Sequence, residues 1–268
     1  MPNSDLALSR RLERAEAVAG SRFVAARARV TPESGAQWIE VAGAYAMFDG
    51  VRSPCTQTFG LGLFKLPEAA DMDRIEAFFE RLGAPVLHEV SPMADPALLG
   101  ILSDRGYRPV ELTSVMYLPL AGWQPSGDAS IDVRLAADAE AEVWARTAAE
   151  GWSEAHEFAG LMDGLMQVMS ASGALRFLAE LDGFPIAAGA MSVHEGVALL
   201  AGASTIPAWR RRGAQRALLQ GRLAHAAGTG CDLAMMCAAP GSESQRNAER
   251  QGFRIAYTRI KWGKRPEL

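Results

Sequence analysis

Between Ser4 and about Arg29 the apolar residues Leu8, Leu12, Ala15, Ala19, Phe23 and Ala26 recur at steps of three and four, the spacing of one helix face, with Ser4 placed to cap it. The pattern then changes. Ala36 to Gly50 and Cys55 to Phe64 read as strands divided by a turn of Gly, Ser and Pro. Beyond them the pattern predicts a helix from about Ala69 to Arg81, a strand at "PVLHEV", a helix from about Asp95 to Asp104, and two short strands, "YRPVEL" and "SVMYLPL".

After Ala121 to Ser130, whose Gly, Pro and Ser content reads as a linker, a similar order returns. "IDVRLA" is a strand, Ala137 to about Arg146 and much of Glu157 to Met169 are helical, and "ALRFLAEL", "PIAAGAMSV" and "VALLAGAST" form a meander. A helix to about Ala227, the strand "CDLAMMCA", a helix from Ser242 to Gln251 and the strands "FRIAYT" and "RIKW" complete the chain. Asp95 to Gly106 and Gly241 to Gly252 are equally long, and each closes in Gly-aromatic-Arg before two strands. The chain therefore reads as a tandem repeat of one mixed α/β unit, with residues 1–120 as one domain, 121–130 as linker and 131–268 as the other.

Length and composition agree with two folded units, since 268 residues at 49% hydrophobic can bury real cores. A net charge of -4 and a pI near 5.7 argue against a nucleic-acid partner, which needs a broad basic surface. The three cysteines form no CxxC pair, and no spacing of histidine and cysteine suggests zinc, so a reducing cytoplasm is the simplest compartment. No leader and no run long enough to cross a bilayer is expected.

One local feature stands against the acidic balance: Arg210, Arg211, Arg212 and Gly213, between the strand "VALLAGAST" and the next helix. A loop opening a helix presents unpaired backbone N–H groups at the positive end of the helix dipole. Glycine admits a bulky phosphate close to the backbone, and the arginines supply charge. A solvated basic face is the alternative reading. Ala214, Ala217, Leu218 and Gly221 would face a sheet, and Gln215, Arg216, Gln220 and Arg222 water.

Arg210-x-x-Gly213 after that strand, followed by "RALL", resembles the acetyl-CoA pyrophosphate loop of the GNAT superfamily of N-acetyltransferases, and the helix ending in "GFR" is similar to that family's second cofactor segment. The resemblance spans Ile131 to Trp262. It implies two tandem GNAT-like domains, each a central, mostly antiparallel mixed sheet flanked by helices. It also implies acetyl-CoA held by Ser204, Thr205, Ile206, Arg210, Arg211, Arg212, Gly213, Ala214, Gln215, Arg216, Ser244 and Asn247, with a backbone N–H around Ser204 to Ile206 polarising the thioester carbonyl. The implied reaction is direct transfer of an acetyl group to a small-molecule amine in a ternary complex.

Two positions depart from the family pattern. Gln215 stands where Gly or Ala ends the loop, so its side chain must turn from the phosphates or contact them. Ala248 stands where many members carry a tyrosine general acid; Ser244 or Asn247 is left to bond the sulfur, and Tyr257 reads as packing. In the first half the corresponding loop offers Pro67, Glu68, Asp71 and Asp73, which would repel a pyrophosphate, so residues 1–120 are expected to bind no cofactor.

An alkyl amine, with a pKa of about 10, must lose a proton to attack. Glu154 and His156, in "EGWSEAHEF", are the candidates to take it, with an exposed loop histidine as the plainer reading of His156. His88, His194 and His225 read as structural, Cys231 and Cys237 as core, and Trp144, Trp152 and Trp209 as packing or acceptor-lining. A CoA-binding sensor without turnover, kept open by Ala248, and a protein or tRNA acetyltransferase are the alternatives. A homodimer is compatible with the sequence, though no exposed stripe demands one.

Overall fold

The structure is a computed structural model that describes residues 2–125, 131–154 and 160–264. It comprises two compact units, Met1–Tyr117 with Cys237–Leu268, and Leu118–Met236. The boundary near Leu118 lies close to the expected linker, but the C-terminal segment groups with the N-terminal half, unlike the linear division read from the sequence.

In the first unit, helix α1 (Pro2–Val30) lies on a sheet made by β1 (Gln37–Val41), β2 (Ala44–Phe48), β3 (Gln57–Phe59), β4 (Leu87–Val90), β5 (Tyr107–Pro119) and β11 (Arg254–Lys264), in the order β1-β2-β3-β4-β11-β5. Ala36 to Gly50 is a hairpin where one strand was expected. Ala42 (φ 50°) and Gly43 (φ 78°) both take left-handed conformations and reverse the chain in two residues. Each expected pair of terminal strands is one long strand, because β5 and β11 run antiparallel for ten register pairs across two irregularities.

Helix α2 (Ala69–Arg81) falls where its periodicity placed it, and α3 (Ala97–Asp104) follows β4. Met72, Ile75, Phe78 and Phe79 of α2 join Leu98 and Leu102 of α3 in a core with Val90, Tyr107 and Trp262. Helix α1 packs on the sheet through Ala17 and Val24, which meet Met47 of β2, and its Gly20 lies so near β2 that a Cβ there would stand 2.8 Å from Met47 Sδ.

The second unit is built from β6 (Asp132–Leu135), α4 (Ala141–Gly151), α5 (Met162–Ala171), β7 (Leu175–Leu181), β8 (Phe184–His194), β9 (Val197–Thr205), α6 (Ala214–Gly228) and β10 (Leu233–Ala238), with sheet order β10-β9-β8-β7-β6. The strands β6 to β9 form an antiparallel meander, whose β8–β9 turn uses Glu195 (φ 45°) and Gly196 (φ 77°). Strand β10 joins β9 in parallel, as a crossover through α6 requires. Helix α6 approaches β6 closely, for a Cβ on Gly221 would meet Val133 Cγ1 at 2.4 Å.

The final helix, α7 (Glu243–Arg250), is capped by Ser242, whose hydroxyl accepts from the Gln245 N–H at 3.2 Å.

Candidate cofactor site

Two interruptions in β9 shape the end that faces the loop. Its parallel register with β10 covers Val197 to Leu199, whereas β9 runs on to Thr205. Its antiparallel register with β8 shifts by one residue, from Ala190↔Ala201 to Ala188↔Ser204, with Gly202 in a left-handed conformation (φ 59°). This is a β-bulge, which bends the strand and takes backbone groups out of the ladder.

Beyond Thr205 a short 3-10 turn, Pro207–Trp209, leads into the arginines. Arg210 is extended, Arg211 is left-handed (φ 62°), and Gly213 is left-handed (φ 87°) at the N-cap of α6. A non-glycine residue in that region is strained, and such strain gathers at binding loops. A Cβ built on Gly213 meets no atom within 4 Å, so the backbone there faces open space.

The first intrahelical bond of α6 runs from the Ala217 N–H to the Gly213 carbonyl at 3.0 Å, and no side chain caps the helix. The amides of Ala214, Gln215 and Arg216 therefore precede the helical ladder at the positive end of the dipole.

Arg210 is tied into the protein. Its guanidinium pairs with Glu154 and donates to the carbonyls of Gly151 (3.0 Å) and Thr205 (3.3 Å), fixing the loop to the end of α4 and of β9. Arg212 lies over the Trp209 ring at 4.9 Å, and Arg211 and Arg212 are exposed. Gln215, the departure from the family pattern, turns its side chain back and donates to Thr205 Oγ1 at 3.0 Å. It leaves the loop mouth clear.

The structure thus brings Glu154 and the segment from Ser204 to Arg216 together within one unit, with unequal roles. Ser204 is buried and donates to the Ala148 carbonyl at 2.7 Å, so its hydroxyl holds β9 to α4. Ile206 drops out as a carbonyl-polarising amide, because its N–H donates to the Ile186 carbonyl at 3.0 Å. Ser244 and Asn247 lie on α7 in the other unit, Ser244 exposed and Asn247 bonded to Arg250. His156 lies outside the described residues. Ala248 is fully buried and offers no hydroxyl.

Sequence periodicity misplaced two residues of α6. Gln220 and Arg222, expected to face water, are 7% and 3% exposed. Arg222 donates only to carbonyls, those of Leu218 (3.3 Å), Ala190 (3.1 Å) and Ala201 (3.4 Å), and burial lowers its pKa to about 10. Glycine at 189 was the available signal, for a Cβ there would press on Leu218 (3.1 Å) and on the guanidinium (3.2 Å).

The tryptophans and remaining histidines are largely structural. Trp144 is fully buried and donates to the carbonyls of Phe177 and Gly189, and His225 meets the Phe177 ring edge-on at 5.4 Å. Among the described residues no group of three His, Cys, Asp or Glu is placed to hold a metal ion, and no helix is long and apolar enough to cross a membrane.

The first unit offers a contrast at the helix that corresponds to α6. The N-terminus of α2 is occupied by its own acids: Asp71 accepts from the Glu68 N–H at 3.1 Å, and Lys65 lies 3.7 Å from Asp71 and 3.8 Å from Glu68.

Comparison with solved structures places the fold. The chain is similar to a GCN5-related N-acetyltransferase from Kribbella flavida (TM-score 0.62, 19% identity, 92% of this chain and 96% of that one). It is similar also to a GCN5-related N-acetyltransferase from Sphaerobacter thermophilus (0.59, 20%, 84% and 78%) and to a tandem GNAT protein from the clavulanic acid biosynthesis pathway (0.58, 12%, 85% and 80%). No protein-family model and no curated protein sequence matches it. The protein has the GNAT fold, a mixed α/β architecture.

Proposed function

We propose that the chain is an acetyl-CoA-dependent N-acetyltransferase acting on the amine of a small molecule. The observation that carries this reading is the uncapped N-terminus of α6, entered through left-handed Arg211 and Gly213 and flanked by two exposed arginines. The first-turn amides, the open space at Gly213 and the charges of Arg211 and Arg212 fit a diphosphate. The turned-back side chain of Gln215 removes the objection raised by its size.

Bound acetyl-CoA would supply an activated acyl group as a thioester. The chain's own part is orientation. Arg210 holds the loop against β9, and Ser204 holds β9 against α4. Of the three amides expected to polarise the carbonyl, that of Thr205 remains: Ile206 donates to Ile186, and the alternation of the ladder makes Ala188↔Ser204 a hydrogen-bonded pair as well. Glu154 is committed to Arg210, so using it as the base would require breaking that pair. The capped N-terminus of α2 supports a single cofactor site, in the second unit.

Calorimetric titration of acetyl-CoA tests the reading. Wild type should bind, Gly213→Glu should abolish binding by placing an anion in the phosphate position, and Arg211→Ala should weaken it roughly tenfold, equivalent to about 1.4 kcal/mol. Equal binding by all three proteins would remove the loop from the site. Binding without turnover over a panel of amines would favour a CoA sensor, the reading that the buried Ala248 supports.

A further inference from the structure

We infer that Arg222 is the positioning residue of the cofactor strand, holding the β8–β9 bulge in register from beneath. This rests on the acetyl-CoA reading of the loop for its functional consequence, though not for its structural one.

The bulge places Gly202 and Ala203 of β9 against one residue of β8, between the pairs Ala190↔Ala201 and Ala188↔Ser204. The pair Ala190↔Ala201 is a hydrogen-bonded pair of the ladder, so each of its carbonyls already accepts one N–H and has a second lone pair for a further donor. The Arg222 Nη1 supplies that further donor to both carbonyls at once, tying β8 to β9 at the last regular pair before the bulge. Among the described residues no carboxylate pairs with Arg222, so the geometry explains its burial by these carbonyls alone. Glycine at 189 eases its fit; a Cβ there would lie 3.2 Å from Arg222 Cζ and 3.1 Å from Leu218 Cδ2.

Register in a strand has a period of two, so a slip of one residue sends every side chain beyond it to the opposite face. Beyond this bulge lie Ser204, which bonds Ala148, and Thr205, which receives both Gln215 and Arg210. Loss of the clamp would therefore displace the anchor points of the phosphate loop without touching the loop itself.

The test compares Arg222→Met, Arg222→Lys and Leu223→Ala by backbone hydrogen exchange and by acetyl-CoA titration. Leu223 is fully buried on the same helix and serves as a control for general loosening. Arg222→Met should raise exchange at residues 200–206 by about tenfold or more relative to β6 and β7, and weaken acetyl-CoA binding by about tenfold. Arg222→Lys should restore part of both, and Leu223→Ala should not single out residues 200–206. If Arg222→Met fails to fold, Gly189→Ala, which crowds the guanidinium, should show the same local exchange.

Wild-type exchange at 200–206 in the folded Arg222 or Gly189 variant, or an equal effect in Leu223→Ala, would overturn the inference. Failure of wild type to bind acetyl-CoA would instead overturn the functional reading, while the exchange comparison still decides the role of Arg222.

Discussion

Arg259 sits 2% exposed in the first unit, donating to Glu89 (2.9 Å), Glu16 (2.7 Å) and Glu13 (3.4 Å) and lying 4.8 Å over the Phe59 ring. Removing one member of a buried ion cluster strands the others, so Arg259→Met should destabilise the protein by about 3–5 kcal/mol in urea unfolding. Glu13 accepts from the Tyr257 hydroxyl at 2.9 Å. Burial, foremost, with Glu16 and Glu89 raises its carboxyl above the effect of Arg259 and Tyr257, to about 7 from 4.5. The folded chain holds that proton more tightly than the unfolded one. The stabilisation is complete below about pH 4.5 and is lost as pH rises through 7. His88 acts oppositely: burial lowers its pKa from 6.5 to about 3, so its contribution is lost as pH falls through that window. Comparing wild type with Glu13→Gln at pH 5 and 8 isolates the first effect, since His88 is common to both. The wild type should lose more stability between the two pH values. None of this network was legible in the sequence, because Glu13 and Arg259 meet only through the fold, 246 residues apart.

At the scale of elements, α2 and α6 occupy corresponding places after their strands and differ at their first turns. Acids fill one N-terminus; the other begins with glycine and follows three arginines. That contrast was readable in sequence because capping chemistry is local. The burial of Arg222 was not, since whether a long side chain on a helix flank meets water or a gap in the sheet depends on the neighbouring strand. Close approach of α6 to β6 makes a further expectation. Gly221→Ala would put a methyl group 2.4 Å from Val133 Cγ1 and should lower stability by about 1–3 kcal/mol, measured by denaturant midpoint.

At the scale of the whole molecule, the last strand in the sequence is an interior strand of the first unit, paired with β4 from Leu87 to Val90 and with β5 from Tyr107 to Tyr117. A fragment of residues 1–120 would expose the facing edges of β4 and β5 and the core around Tyr107, so it should aggregate or remain unfolded alone. Co-expression with residues 121–268 should recover soluble protein; a stable, monomeric 1–120 fragment with native-like circular dichroism would contradict this. The sequence by itself determined where α2 lies, that the chain is of mixed α/β class, and that one helix-opening loop is basic where that before α2 is acidic. These are set by periodicity, spacing and local capping. Only the tertiary structure decided that β11 completes the first unit, that Ala36 to Gly50 folds into a hairpin, and that Arg222 lies under a bulge. Strand partners and buried polar contacts arise between segments far apart in the chain, and their energies exist only once the chain has closed on itself.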